Sequence, residues 1–187
     1  ESEETVRWTG TYSSSSTDGD TVTITVMDNE ETFIKAPERA VPIGYETAQV
    51  LIALGLEDKI VACTSAHFKI EECLPEYREQ IEKLNTVGES IAFEALLNQN
   101  PDFVYAQSWS FDESVIAPVS DFIENNIGYY AVSGSYAEKS TVDCFYDDIR
   151  NIGKIFRVED RAEELISKLK ERLSKVEENK VEDSPTV

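Results

Sequence analysis

From residue 36 onward, short and nearly continuous apolar runs alternate with segments whose apolar residues return every three or four positions. The runs are AVPIG (40–44), KIVACT (59–64), FVYA (103–106) and YYAV (129–132). A strand that is apolar along its whole length has to be covered on both faces, and helical crossovers between parallel strands are the common way to cover them. The pattern therefore predicts an α/β lobe: a mainly parallel, Rossmann-like sheet with helices on both faces.

The intervening segments carry helix signals of their own. Val50, Leu51 and Leu54 share one face of 47–54, and Gly55 stands where a helix C-terminal glycine belongs. Ser90 can cap a helix over 91–99, which Pro101 stops. Val115, Val119, Phe122 and Ile123 predict a helix over 115–125, with Pro118 tolerable only near its first turn. Ser140 and Asp143 resemble a capping box ahead of a stripe through Val142, Phe145, Tyr146, Ile149 and Ile152 that closes at Gly153. Ala162, Leu165, Ile166, Leu169, Leu173 and Val176 mark one long amphipathic helix over about 159–179, roughly 30 Å in length. Ahead of the lobe, TVTITVM (21–27) alternates at period two and predicts a short β-hairpin with a return strand over 32–34. Residues 1–20, polar, acidic and with four consecutive serines, read as a flexible tether.

Asp and Glu outnumber Lys and Arg by 37 to 17, a formal charge of -20. That field repels phosphate backbones, so nucleic acid is excluded as a partner. No stretch approaches the roughly eighteen apolar residues of a membrane span. Cys63, Cys73 and Cys144 are odd in number and lack CxxC spacing; a Cys63–Cys73 bridge and three quiet thiols both fit.

In open parallel sheets the ligand crevice lies just past the carboxyl ends of the strands. Here those rims are 44–46, 65–69, 107–111 and 133–136. They present Tyr45 on the first; His67, Phe68 and Lys69 on the second; Gln107, Trp109 and Phe111 on the third; and Tyr136 on the fourth, with serines between. Flat rings with polar tips suit capture of a large, partly apolar ligand. The competing reading is that Trp109 and Phe111 plug the core beneath a loop. His67, the one histidine, has no carboxylate or thiolate at ligand spacing. With Cys63 four residues before it, a small α/β enzyme using His67 and Cys63 is the rival from another class, although Cys63 reads as inside its strand. GxGxxG, GxxxxGK[ST], GxSxG and HExxH are all missing. No catalytic residue, metal site or cofactor is assigned.

Three blocks carry a resemblance: APERAVPIGYETAQVLIALGLEDKIVACTS (36–65), VGESIAFEALLNQNPDFVYAQ (87–107) and FYDDIRNIGKIFRVEDRAEELISKLKERL (145–173). In order and content they resemble the amino-terminal lobe of ABC-transporter solute-binding proteins for iron–siderophore, haem and cobalamin, with Asn100-Pro101-Asp102 and the Ala-Leu-Gly of the first helix as the clearest marks. The resemblance implies residues 21–157 as that lobe, 158–180 as a long helix between lobes, and 181–187 as the start of a second lobe. It implies a monomeric extracytoplasmic carrier, a cell-surface lipoprotein or periplasmic protein, that takes an iron complex or related macrocycle to permease transmembrane subunits and catalyses nothing. Residues 1–20 are then the tether to a lipid anchor. The glutamate through which such lobes meet the permease corresponds to Glu94, in the first turn of its helix, where an acid is also favourable with the helix dipole. One departure is Gln49, where the family often carries glutamate. Ferric siderophores, haem with His67 or Tyr136 as axial ligand, and corrinoids all remain open as ligands.

Overall fold

The structure is a computed structural model and describes the backbone of residues 15–18 and 20–182, with side chains over 20–178. Strand β4 (Ala40–Pro42) pairs in parallel with β5 (Phe103–Ala106), which pairs in parallel with β6 (Gly128–Ala131). On the other side of β4 the predicted run 59–64 joins through the parallel bridges Ala40↔Ile60 and Ile43↔Thr64, and a further row is added by Cys63↔Thr86. The chain thus winds outward in both directions from the central β4–β5 pair, in the spatial order 85–87, 60–64, β4, β5, β6.

The run 59–64 makes isolated bridges rather than a continuous ladder for two reasons. Val61 and Thr64 donate to Ala40 O and Pro42 O at 3.0 and 3.4 Å, while Cys63 turns away to Asn85 O at 3.0 Å. Pro42 has no N–H to return.

The register of the central pair is set just before the strands begin. Asp102 accepts from the backbone N–H groups of Glu38 (2.9 Å) and Arg39 (2.8 Å). In return the Asp102 N–H donates to Arg39 O at 2.9 Å, and the Arg39 guanidinium donates to Asn100 O and Gln99 O. The Asn100-Pro101-Asp102 element is therefore a clasp between the entrances to β4 and β5.

Both sheet faces are covered, as expected. Phe103, Tyr105 and Tyr130 point to the face closed by α5 (Val142–Ile155) and the turn after it, where Phe156 meets Phe103 edge-on at 5.2 Å. Tyr129 points the other way, against Phe111 and Phe122 of α4 (Val119–Glu124), with Phe93 of α3 (Phe93–Asn98) tilted onto Phe122. Helix α1 (Tyr45–Ala53) connects β4 to the run 59–64 and packs on the short α2 (Arg78–Glu82), and α6 (Glu159–Glu182) packs against α5. Arg161 of α6 donates to Leu54 O and Gly55 O, a cation on the carbonyl end of α1. Gly153 does not end α5; it sits inside the helix because a Cβ there would collide with Ala162 of α6.

The hairpin forms from β2 (Thr21–Val26) and β3 (Asn29–Phe33), burying Val22, Ile24 and Val26 completely. Arg157 ties it to the lobe by donating to Asp20 O and Phe33 O. Within the predicted tether, β1 (Ser15–Asp18) pairs antiparallel with β2, because a serine–threonine backbone can satisfy the open edge of the hairpin; the remaining tether and the last five residues lie outside the described residues. Two helices are shorter than predicted. Pro118 becomes the N-cap of α4, so 115–117 stay irregular, and α3 begins after Ala92 rather than Ser90 because Ile91 is drawn into the core. Thr141, not Ser140, occupies the N-cap position of α5, without a side-chain capping bond.

Among the described residues one carboxyl group, that of Asp148, is wholly interior. Asp148 accepts from Tyr130 Oη at 2.7 Å and from the Ser133 N–H at 3.1 Å, and Asn151 donates to that same Tyr130 Oη. Burial pushes its carboxyl up to about 7, against the opposing pull of these donors. The native state therefore keeps a proton that the unfolded chain has already released, and stability falls as pH rises through the interval from about 4 to about 7. Glu31, also pushed up to about 7 by burial, acts in the same direction. Melting curves between about pH 5 and 8 are expected to show a loss of roughly 2–4 kcal/mol. Asp148→Asn should flatten much of that slope, and an unchanged slope would mean that Asp148 does not titrate in this range.

Candidate functional site

The carboxyl ends of β4 and β5 diverge at the point where the winding reverses, and such switch points open a crevice. After β4, Gly44 takes φ 100 and ψ 146, a conformation nearly restricted to glycine, and starts α1. Its N–H donates to Thr64 Oγ1 at 3.0 Å. Glu46, the second residue of α1, folds its carboxylate back over Gly44, occupying the space a Cβ there would need. Gln107, just past β5, donates from Nε2 to Glu46 Oε1 at 3.4 Å. Glu46 Oε2 is buried and has no partner among the described residues. Burial raises the carboxyl's pKa, and its own backbone N–H and Gln107 pull it back.

The second rim is held in an uncommon backbone shape. Ala66 and His67 are consecutive non-glycine residues at φ 47 and φ 68. Three backbone bonds hold them: Ser65 N–H to Gly88 O, Ala66 N–H to Glu89 O and Phe68 N–H to Ser65 O. Left-handed residues of this kind cost on the order of 1 kcal/mol each and persist where their surroundings dictate them. The turn swings His67 outward, and its Nδ1 lies 3.1 Å from Glu89 Oε2 at the surface.

These segments surround a cleft of about 420 Å³ lined by Ile43, Glu46, Ala66, His67, Phe68, Glu89, Ser90, Ile91, Gln107, Trp109, Ser110, Val115 and Ile116. Trp109 is 59% exposed on a 3₁₀ turn (Ser108–Ser110). That turn is tied to the fourth rim: the Ser108 N–H donates to Ser135 Oγ at 2.8 Å, and Ser135 Oγ donates to Val132 O at 2.6 Å.

Of the residues predicted to meet a ligand, His67, Gln107 and Trp109 come together at this cleft, with Phe68 beside them. Four do not line it. Phe111 is the core plug, edge-on to Phe122 at 5.2 Å, because the 3₁₀ turn reverses the chain after Trp109. Tyr45 packs over Ile52, Cys73 and Ile81 and shares a hydrogen bond with Thr86 Oγ1, since the first position of α1 faces α2. Lys69 is exposed at the start of a separate 3₁₀ turn, its N–H donating to Glu72. Tyr136 packs on the core near Met27 of the hairpin, where burial pushes its hydroxyl up to about 12. Glu94 is exposed in the first turn of α3. Cys63 is fully buried with Sγ 3.4 Å from Thr86 Oγ1, and burial raises its thiol pKa, so it offers no thiolate to His67. All three cysteines are free.

Of the other lining residues, Glu46, Glu89 and Ile116 were not singled out from the sequence, and Ser90 and Val115 were read only as a helix cap and a helix face. Glu89 and Ser90 follow the row 85–87, which is too short to show a period, and Val115 and Ile116 lie in the stretch that Pro118 keeps out of α4. Pro118 itself was the available signal for the second pair.

A sequence model described as periplasmic binding protein matches residues 41–186. An uncharacterized ABC transporter substrate-binding lipoprotein of Bacillus subtilis, YvrC, is 25% identical over 159 residues, covering 84% of this chain and 46% of its own length. A periplasmic binding protein from Veillonella parvula superposes with a TM-score of 0.73 at 25% identity, over 84% of this chain and 50% of that one. An ABC-type Fe3+-hydroxamate transport system from Saccharomonospora viridis superposes with a TM-score of 0.69 at 24% identity, over 83% and 55%. The chain thus spans about half the length of the relatives it matches.

Gly44→Ala should destabilise the lobe by about 1–3 kcal/mol, because it adds backbone strain and displaces the Glu46 carboxylate together. Urea unfolding measures it, and an unchanged midpoint would contradict the geometry of this turn.

Proposed function

The chain belongs to the periplasmic binding protein family, and on that footing we propose that it forms one lobe of the solute-binding component of an ABC importer, whose solute is an iron complex, a ferric siderophore or haem. The observation that carries the reading is the cleft at the sheet's switch point, walled by Phe68, Trp109, Val115 and Ile116 with His67 and Gln107 among them. Rings at the mouth of a pre-formed cleft capture area, and the few polar tips orient what is captured. Periplasmic binding proteins are carriers, and the burial of Cys63 leaves His67 without a nucleophile to serve.

On this reading α6 joins the lobe to a second one that closes over the cleft. Support comes from its apolar stripe, buried at Ala162 and Ile166 but exposed at Leu173 and Val176, where further chain would pack. The protein acts as a monomer outside the cytoplasmic membrane, held there through a lipid anchor ahead of residue 20, and Glu94 docks it on arginines of the permease. Cobalamin binding by the same fold is the alternative ligand.

Titration of the full-length protein with ferric siderophores, haemin and cobalamin, followed by Trp109 fluorescence with a Trp109→Phe control, is expected to show saturable quenching by an iron complex at a Kd of roughly 1 μM or tighter. Saturation by cobalamin alone would replace the ligand assignment, and silence toward all three would remove it. Glu94→Arg should leave that binding intact while lowering uptake through the permease by about tenfold or more, since a reversed charge at a docking contact repels its partner. Undiminished uptake would discard the docking role.

A further inference from the structure

The ionisable side chains lining the cleft are Glu46, Glu89 and His67. No Lys or Arg is among its described lining residues. The rest of the wall is largely apolar, through Phe68, Ile91, Trp109, Val115 and Ile116, and supplies no counter-charge for an anion. The chain's net charge of -20 adds a field of the same sign.

Glu46 stands apart from the surface acids. One carboxylate oxygen accepts from Gln107, and the other is withdrawn from solvent with no donor among the described residues. A buried acceptor without a donor is an unmet demand: a ligand N–H or ammonium satisfies it, whereas a ligand carboxylate or catecholate oxygen sets a second acceptor against it. The raised pKa of this carboxyl has the same origin, burial outweighing the donors available to it.

We propose that the cleft selects solutes of zero or positive net charge, with Glu46 as the specificity-determining residue that receives a donor from the ligand, and rejects polyanionic chelates. The inference rests on the solute-binding reading above and narrows it to neutral or cationic metal chelates, such as ferric trihydroxamates bearing an amine, in preference to tris-catecholates, carboxylate chelates or haem with its propionates.

A matched series isolates charge from shape. The ferric complex of desferrioxamine B is a monocation, its N-acetyl derivative is neutral and its N-succinyl derivative is an anion, all around the same iron centre. Isothermal titration of the full-length protein should give the cation and the neutral complex at least about tenfold tighter binding than the anion. Glu46→Gln should compress the cation-to-anion ratio by about fivefold or more, with an unchanged urea-unfolding midpoint certifying the fold. Glu89→Gln, at an exposed position, should shift the ratio the same way by less.

Equal or tighter binding of the anion, or a ratio that neither substitution moves, overturns the proposal. Binding of ferric enterobactin or haemin in place of the whole series also overturns it, while the solute-binding reading stands. If none of these complexes binds, the proposal falls, and the cobalamin titration above decides whether the solute-binding reading stands.

Discussion

One carboxylate, that of Asp102, holds the entrances to β4 and β5 together by accepting from two consecutive backbone N–H groups, those of Glu38 and Arg39. Bonds from backbone N–H to an ionised acceptor are among the stronger and more directional in a protein. With the entrances clasped, the pairings Ala40↔Phe103, Val41↔Val104 and Pro42↔Tyr105 follow, and so does the height at which both strands stop. Everything at the rim depends on that height: Ile43 and Glu46 start one wall of the cleft, and Gln107 and Trp109 start the other.

The cleft gets its shape from backbone features that only a supporting structure can sustain. Gly44 at φ 100 lets α1 begin immediately after β4, which brings the Glu46 carboxylate onto the switch point. In many sheets of this kind a helix N-terminus at that place receives an anion from the ligand. Here the protein's own carboxylate sits there, so the seat is already taken by negative charge. Opposite, Ala66 and His67 are kept left-handed by bonds to Gly88 and Glu89, and that bend is what turns His67 toward the mouth.

The far rim is supported from beneath. Asp148 accepts from Tyr130 and from the Ser133 N–H, and the turn that Ser133 begins presents Ser135 to the backbone of Ser108, next to Trp109. A buried carboxylate is an expensive support unless it is surrounded by donors. Tyr130 and Ser133 reduce the cost without removing it, which is why its carboxyl is pushed up. The exposed Trp109 thus stands on a chain of polar contacts that reaches the core.

The architecture was legible because apolar runs and helical stripes are local statements about burial, and the hairpin, the parallel sheet and the long α6 all follow from them. Element ends were less legible: Pro118 moved the start of α4, and Gly153 turned out to serve a helix contact with Ala162 rather than a terminus. Of the rim residues, His67, Gln107 and Trp109 reach the cleft, whereas Tyr45, Lys69, Phe111 and Tyr136 lie elsewhere. By itself, then, the sequence determined which segments are strands and helices and at which end of the sheet the cleft opens. The tertiary structure alone decided which rim side chains face one another, that Glu46 carries an oxygen without a donor among the described residues, and that Glu89 joins His67. Periodicity reports which side of an element is buried, but the direction of a side chain past a strand's end is set by turn dihedrals and by neighbours distant in the chain.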